Sequence, residues 1–324
     1  MRAALALLAA LPMLAQPKLL VNAQTDTRSA AAGLEAAYRG LLAAQPQPAW
    51  IGYSVPAVRV WNQGCDVVRD GVNTSGIVHL EPADHVVVLI RVEGNAAVRV
   101  RSVSPDCEID AGGLPVHWLN DVAPAQSVAL LASLAPVQNG AVSAIAMHAD
   151  AAADRALEQL AGPSQPISLR ERAVSSLGWA RGRQGLDFLR RLAANDADMR
   201  VRERAISALA SSREPEAAQL LISFAKTAPD SRLRARAVSD LGRKSGTEIV
   251  ATLTGIIRSE SDQTVRRRAF SALESMPDGE GIPALIQMAK SGPDAETRKQ
   301  AMTALEHSRD PRASVLFEDV LAGK

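Results

Sequence analysis

Aromatic residues make up only 3% of this 324-residue chain, and no basic run is interleaved with them. That argues against a nucleic-acid groove built on base stacking. The formal net charge is +1, so no global field draws the chain to nucleic acid or to an anionic membrane surface. After Leu14 no long apolar run occurs, and a bilayer-spanning helix needs about 20 apolar residues, so no membrane span is expected in the mature chain. No G-x-S-x-G, P-loop or H-E-x-x-H motif is present, which removes the commonest signatures of hydrolase, phosphate-cradling and zincin chemistry. What remains is a chain that is 47% hydrophobic and rich in Ala, Leu and Arg. It is long enough for a sizeable core and for more than one structural unit, and its composition suits helices packed closely through small side chains.

The first residues read as a targeting segment. Met1-Arg2 is a short positive start, and Ala3 to Leu11, extended by Pro12 to Leu14, is too short to span a bilayer. Small-residue cleavage options end at Ala23 ("VNA") and at Ala15 ("MLA"), and Ala23 fits better because Val21 and Ala23 suit the two small-residue subsites. No Cys follows closely enough for lipid attachment. The expectation is an exported protein, periplasmic or secreted; the alternative is a buried amino-terminal helix.

From residue 168 onward the chain repeats itself every 32 residues. Ala173, Ala205, Ala237, Ala269 and Ala301 share one column, and Leu177, Leu209, Leu241, Leu273 and Leu305 share another. Val174, Ile206, Val238, Phe270 and Met302 stand between them. Offsets of one and four residues fall on one helical face, so each unit opens with a helix. A second face follows at Leu189, Leu221, Leu253, Leu285 and Phe317, with Leu192, Phe224, Ile256, Met288 and Val320 three residues on. Gly182, Gly185, Pro215, Gly246, the segment Pro277 to Gly281, and Pro311 break the chain between the two helices. A fainter unit precedes these, with Ala141, Ile145 and Leu157 at the same columns. One helix pair cannot bury its apolar face alone, so the packing problem, and with it the sequence, repeats.

Two polar columns accompany the apolar ones. Arg170, Arg202, Arg234, Arg266 and Arg298 recur in the first helices. Asp198, Asp230, Asp262 and Asp294 stand four residues ahead of the last four, where a carboxylate can cap free N–H groups. The expectation is a structural Asp/Arg ladder, paired within or between layers. The competing reading is a basic groove for phosphate or polyanions. Arg172, Arg204, Arg236 and Arg268 form a further column, a possible binding stripe for an acidic protein, anionic lipid or polysaccharide, with Glu171 and Glu203 beside it.

Segments such as "DMRVRERAISALA" and "DQTVRRRAFSALE" resemble HEAT repeats, and most of all the short, regular subtype first noted in phycobilisome lyases. The resemblance covers roughly half the chain. It implies an α-solenoid with a concave inner surface and a protein-binding role. The expected fold is mainly α: a right-handed α-solenoid of about six 32-residue helix pairs, preceded by a small β-containing unit. Some relatives, the deoxyhypusine hydroxylases, bind two irons through His-Glu pairs. None of the five histidines here is followed by Glu, so that activity is not carried over, and no phycobilin-lyase site residue is found to transfer.

Ahead of the repeats the character changes. "TRSAAAGLEAAYRGLLAAQ" reads as one amphipathic helix ended by "PQPAW". "PAVRVW", "GIVHL", "VVVLIRVE" and "AVRVRSVS" read as strands, and "DCEIDAGGLPVHWLNDV" leads back into helix at "APAQSVALLASL", read as the capping helix of the solenoid. The resulting division is residues 1–23 as signal peptide, 24–122 as helix plus sheet, and 123–324 as solenoid. Cys65 and Cys107 are the only cysteines, and in an exported chain they read as a disulfide closing a loop of roughly 42 residues. Such a bridge stabilises by roughly 3–4 kcal/mol; two buried thiols and a redox pair are the alternatives. Asp84 and His85, with His79, Asp106, Glu108 and Asp110, are metal-ligand types whose spacing shows no convergence. Asn73 opens an N-x-[ST] sequon. Two function classes stand. One is a non-catalytic scaffold, without cofactor, that binds another protein of the cell envelope. The other is an enzyme or small-molecule binder in a cleft between the N-terminal unit and the solenoid, using Asp106, Glu108, Asp110 and His117. A variant of the first has the sheet unit bind while the repeats only space it.

Overall fold

The computed structural model describes residues 20–44, 47–58, 68–69, 72–73 and 84–322. The amino-terminal apolar run, Cys65 and His79 lie outside the described residues. The chain divides into two compact units, Met1–Gln159 and Leu160–Lys324.

The first unit carries nine strands and four helices among the described residues: β1 (Leu20–Val21), β2 (Gln24–Ser29), α1 (Leu34–Ala44), β3 (Ala49–Pro56), β4 (Val68–Arg69), β5 (Val72–Asn73), β6 (His85–Glu93), β7 (Ala96–Val103), β8 (Ile109–Asp110), β9 (Pro115–Asn120), α2 (Pro124–Leu134), α3 (Asn139–Met147) and α4 (Ala152–Leu160). Five strands form one sheet in the order β2-β9-β3-β6-β7, while β1 pairs with β8 and β4 with β5. β9 runs parallel to both its neighbours, and β3, β6 and β7 are antiparallel. The strands expected at "VVVLIRVE" and "AVRVRSVS" are β6 and β7. β6 is apolar almost throughout because both its faces are covered.

Of the other expected strands, "GIVHL" and residues 59–61 of "PAVRVW" lie outside the described residues. The "AWIGYSVP" stretch, read as the end of a helix and the start of a later strand, is β3. Gly52 in its middle makes room for Trp118 of β9: a methyl group there would lie 2.9 Å from the indole. Within the segment that leads back into helix at α2, "PVHWLN" is a further strand, β9, and Gly112 and Gly113, both in the left-handed region, turn the chain into it. The first helix is shorter than expected. Thr27 to Ser29 belong to β2, and Gly33, at φ +127°, separates that strand from α1. The unit boundary falls at the last residue of α4, later than the division at 122/123, because α2 and α3 pack on the sheet unit, α3 along β7.

Between the sheet and its helices runs a fully buried polar chain. The Tyr53 hydroxyl lies 2.9 Å from Ser127 Oγ, Ser127 Oγ lies 2.8 Å from His148 Nε2, and His148 Nδ1 lies 2.8 Å from the Ala144 carbonyl oxygen. A carbonyl only accepts, so Nδ1 carries the proton. Burial, set against the Ser127 hydrogen bond, pushes the Tyr53 phenol well above its ordinary range.

The second unit is five helix pairs: α5 (Ile167–Ala180) and α6 (Gly182–Asn195), α7 (Met199–Ser211) and α8 (Glu216–Thr227), α9 (Ser231–Leu241) and α10 (Thr247–Ser259), α11 (Gln263–Ser275) and α12 (Ile282–Ser291), α13 (Ala295–Glu306) and α14 (Pro311–Leu321). The Ala and Leu columns of the first helices are buried throughout, as are Leu189, Leu221, Leu253 and Leu285 of the second helices. The column slips only in α14, where Ala313 and Leu316 are buried and Val320 is 53% exposed. A sixth pair, α3 and α4, buries Ala141, Ile145 and Leu157 at the fainter unit's columns.

The layers of this unit come closest along the first helices, while neighbouring second helices touch far less. Small residues set that approach. A methyl group at Gly178 of α5 would lie 2.3 Å from the Ala208 carbonyl oxygen of α7, and one at Gly242, the cap of α9, would lie 2.8 Å from the Ala272 Cα of α11.

Candidate functional site

The surface of the first helices is built from their caps upward. Asp198, Asp230, Asp262 and Asp294 each accept a backbone N–H from the first turn of α7, α9, α11 and α13, and Asp310 does the same for α14. The Asp262 carboxyl pKa is lowered by the N–H groups of Val265 and Thr264, and that of Asp294 by the N–H and hydroxyl of Thr297. Asp310 falls to about 2 because the Arg312 guanidinium and its N–H both bond it.

The Arg column does not hydrogen-bond this Asp column, which corrects the expected pairing. Four of the five guanidiniums instead turn back to the C-terminal carbonyls of the preceding helix. Arg170 donates to Ala161 O, Arg202 to Ala193 O, Arg234 to Ala228 O, and Arg298 to Gly292 O. These are favourable positions for a cation at a helix C-terminus. Two of the arginines also reach an acid 26 residues ahead. Arg170 meets Asp196 at 2.5 Å, and Arg234 holds Glu260 through two bonds of 2.9 and 3.2 Å. The Arg234 bonds outweigh burial and keep the Glu260 carboxyl below its ordinary range. Arg234 and Arg266 act on Asp262 and Asp294 of the next layer only as nearby charges. The signal for the true partners is in the sequence: Asp196 and Glu260 occupy positions where the neighbouring repeats have Ala228 and Gly292.

The outward face of these helices is not a continuous basic stripe. Arg204 and Arg268 are exposed and Arg172 is half-buried, but Arg236 is bonded at 2.9 Å to the buried Asp240. Ion pairs cross from layer to layer beside it, Arg200 to Glu171 at 3.0 Å and Arg232 to Glu203 at 3.5 Å. Lys244 donates to Ser212 O at the end of α7, and burial, with Arg243 nearby, pushes its ammonium pKa down. The result is a face of alternating sign.

Two open grooves lie in that face. One, of about 430 Å³, runs across α7, α9 and α11 between Glu203, Arg232, Arg236 and Arg268. The other, of about 410 Å³, lies between α11 and α13, with Phe270 at its base and Glu274, Lys299 and His307 on its walls. Periodicity alone did not single out Phe270 or His307 for this surface, since one reads as core and the other as a lone histidine.

The candidates in the first unit are not brought together. Asp106, Glu108 and Asp110 are exposed, and Asp110 bonds Asn22 and the Gly112 N–H. His117 is buried, with Nδ1 bonded to the Asp26 carboxylate, which also accepts from Arg28 at 2.8 Å. Burial raises the Asp26 pKa, but the bonds from Arg28 and His117 outweigh it and leave the carboxyl below its ordinary range. Asp84 and His85 form an exposed pair at 2.8 Å. Among the described residues no group of three or more His, Cys, Asp and Glu side chains is placed to hold a metal ion. No described helix is long and apolar enough to cross a membrane.

Comparison with known proteins follows the architecture. Among solved structures, human deoxyhypusine hydroxylase in complex with glycerol is 17% identical, over 58% of this chain and 80% of that one, with a TM-score of 0.32. The CpcE–CpcF complex of phycocyanin lyase from Nostoc sp. PCC7120 is also 17% identical, over 57% of this chain and 76% of that one, with a TM-score of 0.32. No curated protein matches the chain. The family model for HEAT repeats matches residues 153–242 and 250–324, more than half of the chain, and the protein belongs to the HEAT-repeat family.

Proposed function

We propose that the protein is an exported, non-catalytic scaffold that holds a segment of another cell-envelope protein on the first-helix face of its repeats. The observation that carries this reading is the pair of open grooves in that face, each walled by charges of both signs. Such walls suit a polypeptide that presents both charges around a few apolar anchors, and they suit a polyanion poorly. Export rests on the amino-terminal pattern, and the proposed bridge between Cys65 and Cys107 rests on their being the only pair and on the burial of Cys107.

The test is to cross-link the tagged chain in the envelope fraction of its host and identify what co-purifies, then repeat with Arg268→Glu and Lys299→Glu. One dominant protein, lost with either reversal, is the expected result. A partner retained by both variants sinks the assignment to this face. Amino-terminal sequencing of the exported chain reads the processing. Cleavage after Ala23 removes β1 from β8, whereas cleavage after Ala15 keeps residues 20–22 bonded to the 109–113 segment.

A further inference from the structure

The β6–β7 hairpin carries three arginines on one sheet face. Arg91 lies directly opposite Arg99, and Arg101, two residues on, lies opposite Leu89. Opposed side chains in an antiparallel pair stand about 5 Å apart, and like charges there repel. Among the described residues the one ion pair of this group joins Arg91 Nη2 to Glu93 at 3.5 Å. Arg91 Nε is buried without a hydrogen-bond partner, and Arg99 and Arg101 are exposed, with no ion pair among the described residues. In the same unit Arg28 pairs with Asp26 and Arg39 with Glu35.

The backbone beneath these residues is fixed. Between Arg91↔Arg99 and Val92↔Ala97 the register shifts by one residue, so Val98 is an extra, bulged residue beside the cluster. Bulges re-aim neighbouring side chains and sit beside functional sites more often than elsewhere in sheets. The bulged strand is held from its outer edge: Gln138 donates to Ala97 O at 2.7 Å, and Gly140 of α3 lies so close that a methyl there would be 2.1 Å from Val100 O. Apart from the Arg91–Glu93 contact, three guanidinium forks on a braced strand pair concentrate donors without an ion-pair partner among the described residues.

We propose that Arg91, Arg99 and Arg101 form a binding site for a phosphate-type oxyanion of two or more charges. The planar forks match tetrahedral oxyanions through paired N–H···O bonds, which a single mobile lysine does not reproduce. A dianion between Arg91 and Arg99 relieves the opposed like charges and supplies Arg91 Nε with an acceptor. The same chemistry is offered by a soluble phosphate ester and by the monoester headgroup of an anionic lipid.

The test uses the full chain with pyrophosphate as the probe, read by calorimetry and by thermal melting. Saturable binding, weakened at least tenfold in Arg99→Gln/Arg101→Gln and unchanged in Arg39→Ala, is the expected result. The double variant is expected to melt at or above the unliganded wild type, since it loses like-charge repulsion, and to gain nothing from pyrophosphate. Flotation with phosphatidic-acid vesicles, against phosphatidylcholine vesicles, separates the two sources. Wild-type binding to the former that pyrophosphate displaces assigns the headgroup, and pyrophosphate binding without flotation assigns a soluble ester. No saturable binding of pyrophosphate by the wild type, or equal binding by the double variant, overturns the proposal, whatever the repeat face binds.

Discussion

Gly178→Ala adds a single methyl group, and the spacing of the first helices decides its sign. In an isolated helix the change is favourable by about 1 kcal/mol. Here the methyl would lie 2.3 Å from the Ala208 carbonyl oxygen and 2.9 Å from both the Ala208 carbonyl carbon and Cβ. Ordinary contact lies near about 3.5 Å, so α5 and α7 must part by about 1 Å, and backbone cannot rotate aside as a side-chain tip does. Overpacking of this kind costs about 1–3 kcal/mol, which cancels the propensity gain and leaves a net loss of up to about 2 kcal/mol. The control is Gly255→Ala in α10, exposed and with nothing within 4 Å of the added carbon, where a gain of about 0.5–1 kcal/mol is expected. Urea unfolding followed by far-ultraviolet circular dichroism compares the two midpoints. A weakened layer contact in a nearest-neighbour array is also expected to broaden the Gly178→Ala transition. If Gly178→Ala raises the midpoint as far as Gly255→Ala does, the first helices are not held at the separation that glycine permits, and the reasoning fails.

Other substitutions test single interactions. Glu260→Gln removes the charge that Arg234 holds and costs about 1–2 kcal/mol near neutral pH. Because the folded carboxyl sits below its ordinary 4.5, the wild-type advantage is fully present above that value and is lost as pH falls through the lower folded value; a gap that stays constant into acid would contradict the pairing. Asp198→Ala removes the cap on the Arg200 N–H and should lower stability by about 1 kcal/mol, with Asp198→Asn recovering most of it. Ser127→Ala takes away the hydroxyl bonded to both Tyr53 and His148, and a loss of about 1–3 kcal/mol in thermal or urea unfolding is expected; an unchanged midpoint would show that the chain is not a coupled network.

The repeats were legible because packing wrote them as columns. A buried Ala at residue 173 and its four successors answers one geometric demand five times, and periodicity reveals such demands. The sheet unit met each demand once. β3 contains Gly52, a poor strand residue whose reason is Trp118 more than sixty residues away, and that reason is tertiary. β9 is short and flanked by turn residues, so its place between two parallel neighbours comes from strands that propensity alone does not pair. The same limit applied to the arginines. Their recurrence was plain, but the nearest carboxylate in sequence caps its own helix, so the guanidinium had to find its acceptors across the layer. The grooves were hidden for another reason, since Phe270 lies in the apolar core column and only the spacing of α11 and α13 opens a groove above it.

The bonds that tie one layer to the next all span about one repeat: Glu171 to Arg200, Ser212 to Lys244, Arg234 to Glu260, and Gly279 to Arg312. None of these reaches past its neighbour. The second unit therefore has a low contact order, and ordering can begin at any adjacent pair of layers and spread in both directions without closing a long loop. Its length is correspondingly a free variable. A 32-residue block cut between like columns, such as Ala205 to Ala237, can be removed or duplicated with the apolar columns of the remaining layers still in register.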